Sequence, residues 1–207
     1  TIMREKVRAG QPYLYRENGL PGEVYEIRMN DEVDHAALSF AANETMKRYP
    51  YFKVRFEEQE GDFYAVENEL TFEAYETDRL IPLGGAENNF YLLGVTHHGK
   101  NIDVSFHHGL ADGRGVKSFV ETLIYYYCQA AYASFADSEG ILTNADEISP
   151  SETAEPCGEK FTVDKAKLGK VEGLSKKGFT LPETKGEKAS HRRYELRFSQ
   201  SDLIKLC

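Results

Sequence analysis

The chain has 207 residues, 41% of them hydrophobic and 12% aromatic, enough to build one sizeable core with an appendage. Its charges sum to a formal net −9 without a basic cluster, which argues against nucleic acid or an anionic membrane surface as a partner. No apolar run is long enough to span a bilayer, the first ten residues lack the apolar stretch of a secretory signal, and Cys128, Cys157 and Cys207 are too scattered for a disulfide framework or a cysteine zinc site, so a cytoplasmic protein with reduced thiols is expected.

Val24, Tyr25, Ile27 and Met29 alternate with Glu26 and Arg28, which predicts a strand over 24–29. Asn30 or Asp31 then caps a predicted helix whose apolar positions are Val33, Ala36, Ala37, Phe40, Ala41 and Ala42, and which ends before Pro50. A second strand is predicted over 51–57 and a third over 63–66, joined as a hairpin at Gly61-Asp62. Strands over 90–96 and 102–106 follow, with His97 to Asn101 as the turn between them. From Gly113, apolar residues Val116, Phe119, Val120, Leu123, Ile124 and Tyr127 recur at helical spacing, which predicts an amphipathic helix to about residue 133. Residues 136–190 hold only two aromatics, Phe161 and Phe179, and predict a long polar, partly mobile connection. Alternation resumes at Tyr194, Leu196 and Phe198, and Ser199 or Ser201 caps a helix that breaks off at Cys207, as the first half of a larger protein would.

The segment from Ile102 to Gly115 is the one that carries chemistry. A core strand runs into two histidines, a small-residue turn, Asp112, Gly113 and a helix. Period-2 parity puts Ile102, Val104, Phe106 and His108 on one face, and His107 on the other with Asp103 and Ser105. An imidazole held neutral against an apolar wall can take a proton from an attacking hydroxyl or amine. Asp112 can orient the histidine, lock the turn through an arginine, or cap the helix. Gly113 leaves room for a ligand beside the backbone. A metal held by His107, His108 and Asp112 is the rival chemistry. Consecutive strand histidines point to opposite faces, however, and no fourth ligand stands out. The second pair, His97-His98, lacks an aspartate at this spacing and is expected to be structural.

His107-His108-Gly109-Leu110-Ala111-Asp112-Gly113 resembles the HHxxxDG signature of the CoA-dependent acyltransferase superfamily. Chloramphenicol acetyltransferase, the condensation domains of nonribosomal peptide synthetases and alcohol O-acetyltransferases belong to that group. The resemblance covers roughly residues 20–135, including the Tyr49-Pro50-Tyr51-Phe52 boundary, and residues 192–207 look like the opening of the family's second lobe. It implies an α/β fold: a chloramphenicol acetyltransferase-like sandwich, a mixed sheet with helices packed on it, as the first lobe of a two-lobe protein. The domains expected are a lobe over 1–135, the connection over 136–190, and the start of a second lobe over 191–207.

The same resemblance makes His108 the general base, His107 its less essential neighbour, Asp112 a structural residue pairing with an arginine, and Gly113 the small residue beside a pantetheine arm. It implies an acyltransferase that takes acyl-CoA, or an acyl-pantetheine carrier protein, as co-substrate and an alcohol or amine as acceptor. No metal and no tightly bound cofactor are expected. The chain has no tryptophan, and the condensation-domain opening motif is absent, so the expectation leans to an alcohol O-acetyltransferase. A condensation domain, or a non-catalytic relative that acts as a binding module, stands as the alternative.

Overall fold

The computed structural model describes residues 4–7, 23–132 and 138–154. The chain divides into two units, Thr1–Pro156 and Cys157–Cys207, and every described residue lies in the first. The expected strand over 193–198 and the helix after it lie outside the described residues.

The elements in chain order are β1 (Arg4–Lys6), β2 (Glu23–Arg28), α1 (His35–Arg48), β3 (Val54–Gln59), β4 (Asp62–Glu67), β5 (Ala74–Glu76), β6 (Leu93–His98), β7 (Asn101–Phe106) and α2 (Gly113–Ala131), with short 3₁₀ turns at Pro50–Phe52, Ala86–Asn88 and Pro150–Glu152. They build two sheets: a four-stranded one ordered β2-β7-β6-β5 and a three-stranded antiparallel one ordered β1-β4-β3. In the larger sheet β5 runs parallel to β6 and the other pairings are antiparallel, so it is mixed, as expected. Residues opposed across β2 and β7 share a face, and Glu23, Tyr25 and Ile27 therefore stand beside Phe106, Val104 and Ile102.

That face meets both helices. Ile102, Val104 and Phe106 pack in one core with Leu38, Ala41, Ala42 and Met46 of α1 and with Val116, Phe119, Leu123 and Tyr127 of α2. Phe119 lies against Tyr49, Phe52 and Phe72, with ring centroids 5.6, 5.9 and 6.4 Å away. The small side chains Ala37, Ala41 and Ala42 are buried and let α1 approach its neighbours closely, whereas Phe40, expected on the apolar stripe, is 51% exposed.

The cap of α1 also differs from expectation. Asp34, not Asn30 or Asp31, accepts from the Ala37 amide at 2.9 Å. The reason lies in the neighbouring hairpin: Met29 N and Val33 N donate to Lys100 O and Gly99 O, which keeps 29–33 out of the helix. Replacing Asp34 with Ala should lower stability by about 1 kcal/mol, the usual worth of an N-cap. An unchanged denaturation midpoint would show that the cap contributes nothing.

Two turns sort out differently. At Glu60-Gly61 both residues have positive φ, 54° and 86°, as a two-residue hairpin loop requires, and the predicted hairpin forms. The turn expected at 97–101 shrinks to Gly99-Lys100, because His97 and His98 continue β6 opposite Ile102 and Asn101. The strand predicted from Phe90 starts only at Leu93, since Asn89 and Phe90 both take left-handed backbone. Strands β1 and β5 carried no readable pattern at three residues each.

Residues 138–154, from the stretch expected to be a polar connection, pack back on the two helices. Thr122 Oγ1 donates to Leu142 O at 2.6 Å, and Asn144 N donates to Tyr126 Oη at 2.9 Å. Arg48, 1% exposed, then forms a two-pronged pair with Glu152: Nη1 to Oε2 is 3.0 Å and Nη2 to Oε1 is 2.9 Å. The guanidinium holds the Glu152 carboxyl below the usual carboxylate range, and Tyr51 Oη donates to the same carboxylate at 3.0 Å.

Candidate active site

The residues after β7 form a loop at the junction of the two sheets, and its two histidines go separate ways. His107 stays in the ladder: its amide donates to Leu92 O at 2.8 Å, and its side chain is 7% exposed. The ring meets Phe56 of β3 edge-on, with centroids 5.5 Å apart. Its Nδ1 accepts from the Gly109 amide at 2.9 Å, and its carbonyl accepts from Leu110 N at 2.8 Å. An unprotonated Nδ1 places the ring proton on Nε2. Burial, and after it the charge of His108, lowers the His107 pKa. An imidazole kept neutral by burial against an apolar wall is thus found at His107, where it shapes the turn.

His108 is the more open of the two, with 31% of its side chain exposed, and Nε2 lies 3.4 Å from Glu23 Oε1. Glu23 is the register partner of Phe106, so His108 reaches the side of the sheet that parity gives it. Asp112 caps α2 by accepting from the Gly115 amide at 2.7 Å. Among the described residues no arginine pairs with it, and Arg114 is exposed. Tyr25 Oη donates to Gly113 O at 2.7 Å and pins the start of α2 to β2. A side chain at 113 would enter the space bounded by Glu23 Oε2 at 3.4 Å, Tyr25 Oη at 3.6 Å and Phe106 Cζ at 4.0 Å. Beside the same loop, Leu110, Ala111 and Gly115 form one wall of a cleft of about 500 Å³, faced by Phe52, Val54 and Ala65. His108 is not among its lining residues.

No protein-family profile matches the sequence, and no curated protein matches it. Solved structures do. The starter condensation domain of the rhizomide synthetase RzmA superposes with a TM-score of 0.50 at 11% identity, over 68% of this chain and 39% of that one. An arginine-to-alanine mutant of the same domain gives 0.50 at 10%, over 65% and 40%. Polyketide synthase associated protein 5 from Mycobacterium tuberculosis gives 0.48 at 18%, over 68% and 36%.

The chain has the fold of a condensation domain. It spans about two fifths of the length of the condensation domains it matches. In this condensation-domain fold the HHxxxDG segment is brought together with Glu23 and Tyr25, two residues that sequence reasoning left out. Their strand was legible, but its pairing with β7, more than 70 residues on, was not.

A second histidine contact lies elsewhere. His97, expected in a solvated turn, is 3% exposed, and its Nε2 sits 3.0 Å from Nδ1 of His35, which the sequence left unassigned. Burial, followed by the charge of His35, lowers the His97 pKa. Both His97 and His107 are harder to protonate folded than unfolded, so the unfolded chain binds more protons below the ordinary imidazole value of 6.5. Stability should be level above about pH 7 and fall as pH drops from about 6.5 towards 5. Denaturation midpoints across that range measure it. A flat profile would mean that the two rings are not buried as described.

Proposed function

We propose that this chain carries the base-bearing lobe of an acyltransferase, with His108 as general base. The observation behind this reading is the placement of His108 in a condensation-domain fold: at the end of core strand β7, partly open, its ring beside a carboxylate. A rigid strand fixes where the imidazole sits, and the following turn leaves one edge of it open to a substrate.

In the proposed reaction an acceptor hydroxyl or amine attacks the carbonyl carbon of an acyl thioester. His108 takes the acceptor's proton as the new C–O or C–N bond forms. The tetrahedral intermediate collapses, the C–S bond breaks, and the thiol leaves with the proton returned by the imidazole. The donor is acyl-CoA or an acyl group on the pantetheine arm of a carrier protein; the fold's likeness to synthetase domains supports a carrier partner, and the HHxxxDG resemblance supports CoA. An alcohol acceptor fits an O-acetyltransferase-like enzyme and an amine acceptor a condensation enzyme, and one base serves both.

The experiment is thiol release by the complete polypeptide, followed for an acyl-CoA series and for acyl carrier proteins, each with and without alcohol and amine acceptors. Acceptor-dependent release supports the proposal. Binding of donor with no transfer under any pairing would overturn it in favour of the binding module.

A further inference from the structure

We propose that Tyr25 is a positioning residue for His108: its side chain grips both ends of the loop that carries the histidine, and so sets where the imidazole stands. The inference rests on the acyl-transfer reading above.

The loop runs from Phe106, the last residue of β7, to Gly113, the first of α2. His107 anchors the near end through its amide on Leu92 O. Beyond it the hydrogen bonds are local: the Gly109 amide donates to His107 Nδ1, the Leu110 amide to His107 O, and the Gly115 amide to Asp112 Oδ1. These bonds shape the turn but do not hold it against a neighbouring strand. The Asp112 carboxylate, expected to reach an arginine, is exposed and stays with its own helix.

Tyr25 supplies the tie across. Its Oη donates to Gly113 O at 2.7 Å, and its ring stacks on Phe106 with centroids 6.0 Å apart and planes 25° from parallel. One side chain thus touches the residue before the histidine pair and the residue after Asp112. The gap that residues 107–112 span is thereby fixed, and His108 stands within it. A Cβ at Gly113 would lie 3.6 Å from Tyr25 Oη and 4.0 Å from Phe106 Cζ, so the three residues meet at one point. A carbonyl has two lone pairs, so Gly113 O can take this bond and still serve the helix ladder.

Tyr25 is stiff for its own reasons. It pairs with Val104 within β2, with Glu23 against Phe106 and Ile27 against Ile102 on either side, and its ring packs on the core. Strand register sets its backbone, and the stack on Phe106 sets its ring. Magnitudes separate this role from a merely structural one. A single hydrogen bond is a small part of folding stability, whereas a reacting group misplaced by about 1 Å can lose about 100-fold in rate.

The test uses the complete polypeptide, with transfer kinetics and the thermal midpoint as readouts. Tyr25→Phe keeps the ring on Phe106 and removes only the hydroxyl. It should lower kcat by about 10- to 100-fold, with KM within about twofold and the midpoint down by no more than about 4 °C. Tyr25→4-aminophenylalanine restores an N–H donor of similar reach and should recover most of the lost kcat. In a His108→Ala background, Tyr25→Phe should cost nothing further, because its effect passes through that ring. Wild-type kcat in Tyr25→Phe, no recovery with the amino analogue, a loss accounted for by unfolded protein, or a loss that multiplies with that of His108→Ala each overturns the positioning role and leaves the acyl-transfer reading standing. Full activity in His108→Ala overturns the acyl-transfer reading itself.

Discussion

Replacing His108 with Ala should lower turnover by roughly 10²- to 10⁴-fold, with little effect on folding. In barrier terms that is about 3–5 kcal/mol. The size follows from the chemistry of the proposed reaction, in which the acceptor would lose a proton as it attacks and without a base would lose it to water. The folded state should be indifferent, because the ring is partly open and the carboxylate beside it belongs to the half-exposed Glu23. His107→Ala should behave in the opposite way. It removes a buried ring that touches Phe56 and accepts from the Gly109 amide, so it should lower the denaturation midpoint first and activity as a consequence. Paired assays of turnover and stability separate the two histidines. If His108→Ala retains turnover within about twofold of wild type, no general base resides at this position.

Replacing Glu152 with Ala should destabilise the first unit by about 3 kcal/mol. Arg48 is buried at 1% exposure, and its Nε has no hydrogen-bond partner among the described residues. Its other two nitrogens reach the two Glu152 oxygens at 3.0 and 2.9 Å. Removing that carboxylate leaves an unpaired guanidinium in the interior, which is far costlier than the pair itself is worth. Arg48→Met is the informative contrast, since it leaves Glu152 with 22% of its side chain exposed and within reach of water, and should cost less than Glu152→Ala. Glu152 is also held by Tyr51 Oη and by the Ser149 amide at 2.8 Å, so its loss loosens residues 149–152 against the lobe. Chemical denaturation at neutral pH measures each variant. A Glu152→Ala midpoint equal to wild type would mean that residues 138–154 are not seated on the lobe. Because Arg48 lowers the Glu152 pKa, the pair's contribution is present above the ordinary carboxyl value of 4.5 and fades as pH falls below it.

The long periodic elements were readable in the sequence because one physical cause produced each. Val116, Phe119, Leu123 and Tyr127 recur at helical spacing, and they are the face α2 buries. Ile102, Val104 and Phe106 alternate, and they are the face β7 turns to the helices. The elements misjudged were those fixed by distant partners. Asp34 became the cap of α1 because the β6–β7 turn holds the residues before it. His97 looked like turn composition, yet packing against His35 and pairing with Ile102 put it inside. The polar run at 138–154 carried no periodicity, and hydrogen bonds to Thr122, Tyr126 and Arg48 seat it on the lobe.

At the site the division is similar. Residue order alone determined that two histidines, an aspartate and a glycine stand between a core strand and a helix, and strand parity alone set His107 and His108 on opposite faces. Only the tertiary structure decided which imidazole is buried and which is open, and that Glu23 stands beside the open one. The reason is physical. Burial and cross-strand contact depend on which strands lie side by side, and the partner of β7 that brings Glu23 lies some 80 residues earlier in the chain, beyond the reach of any local pattern.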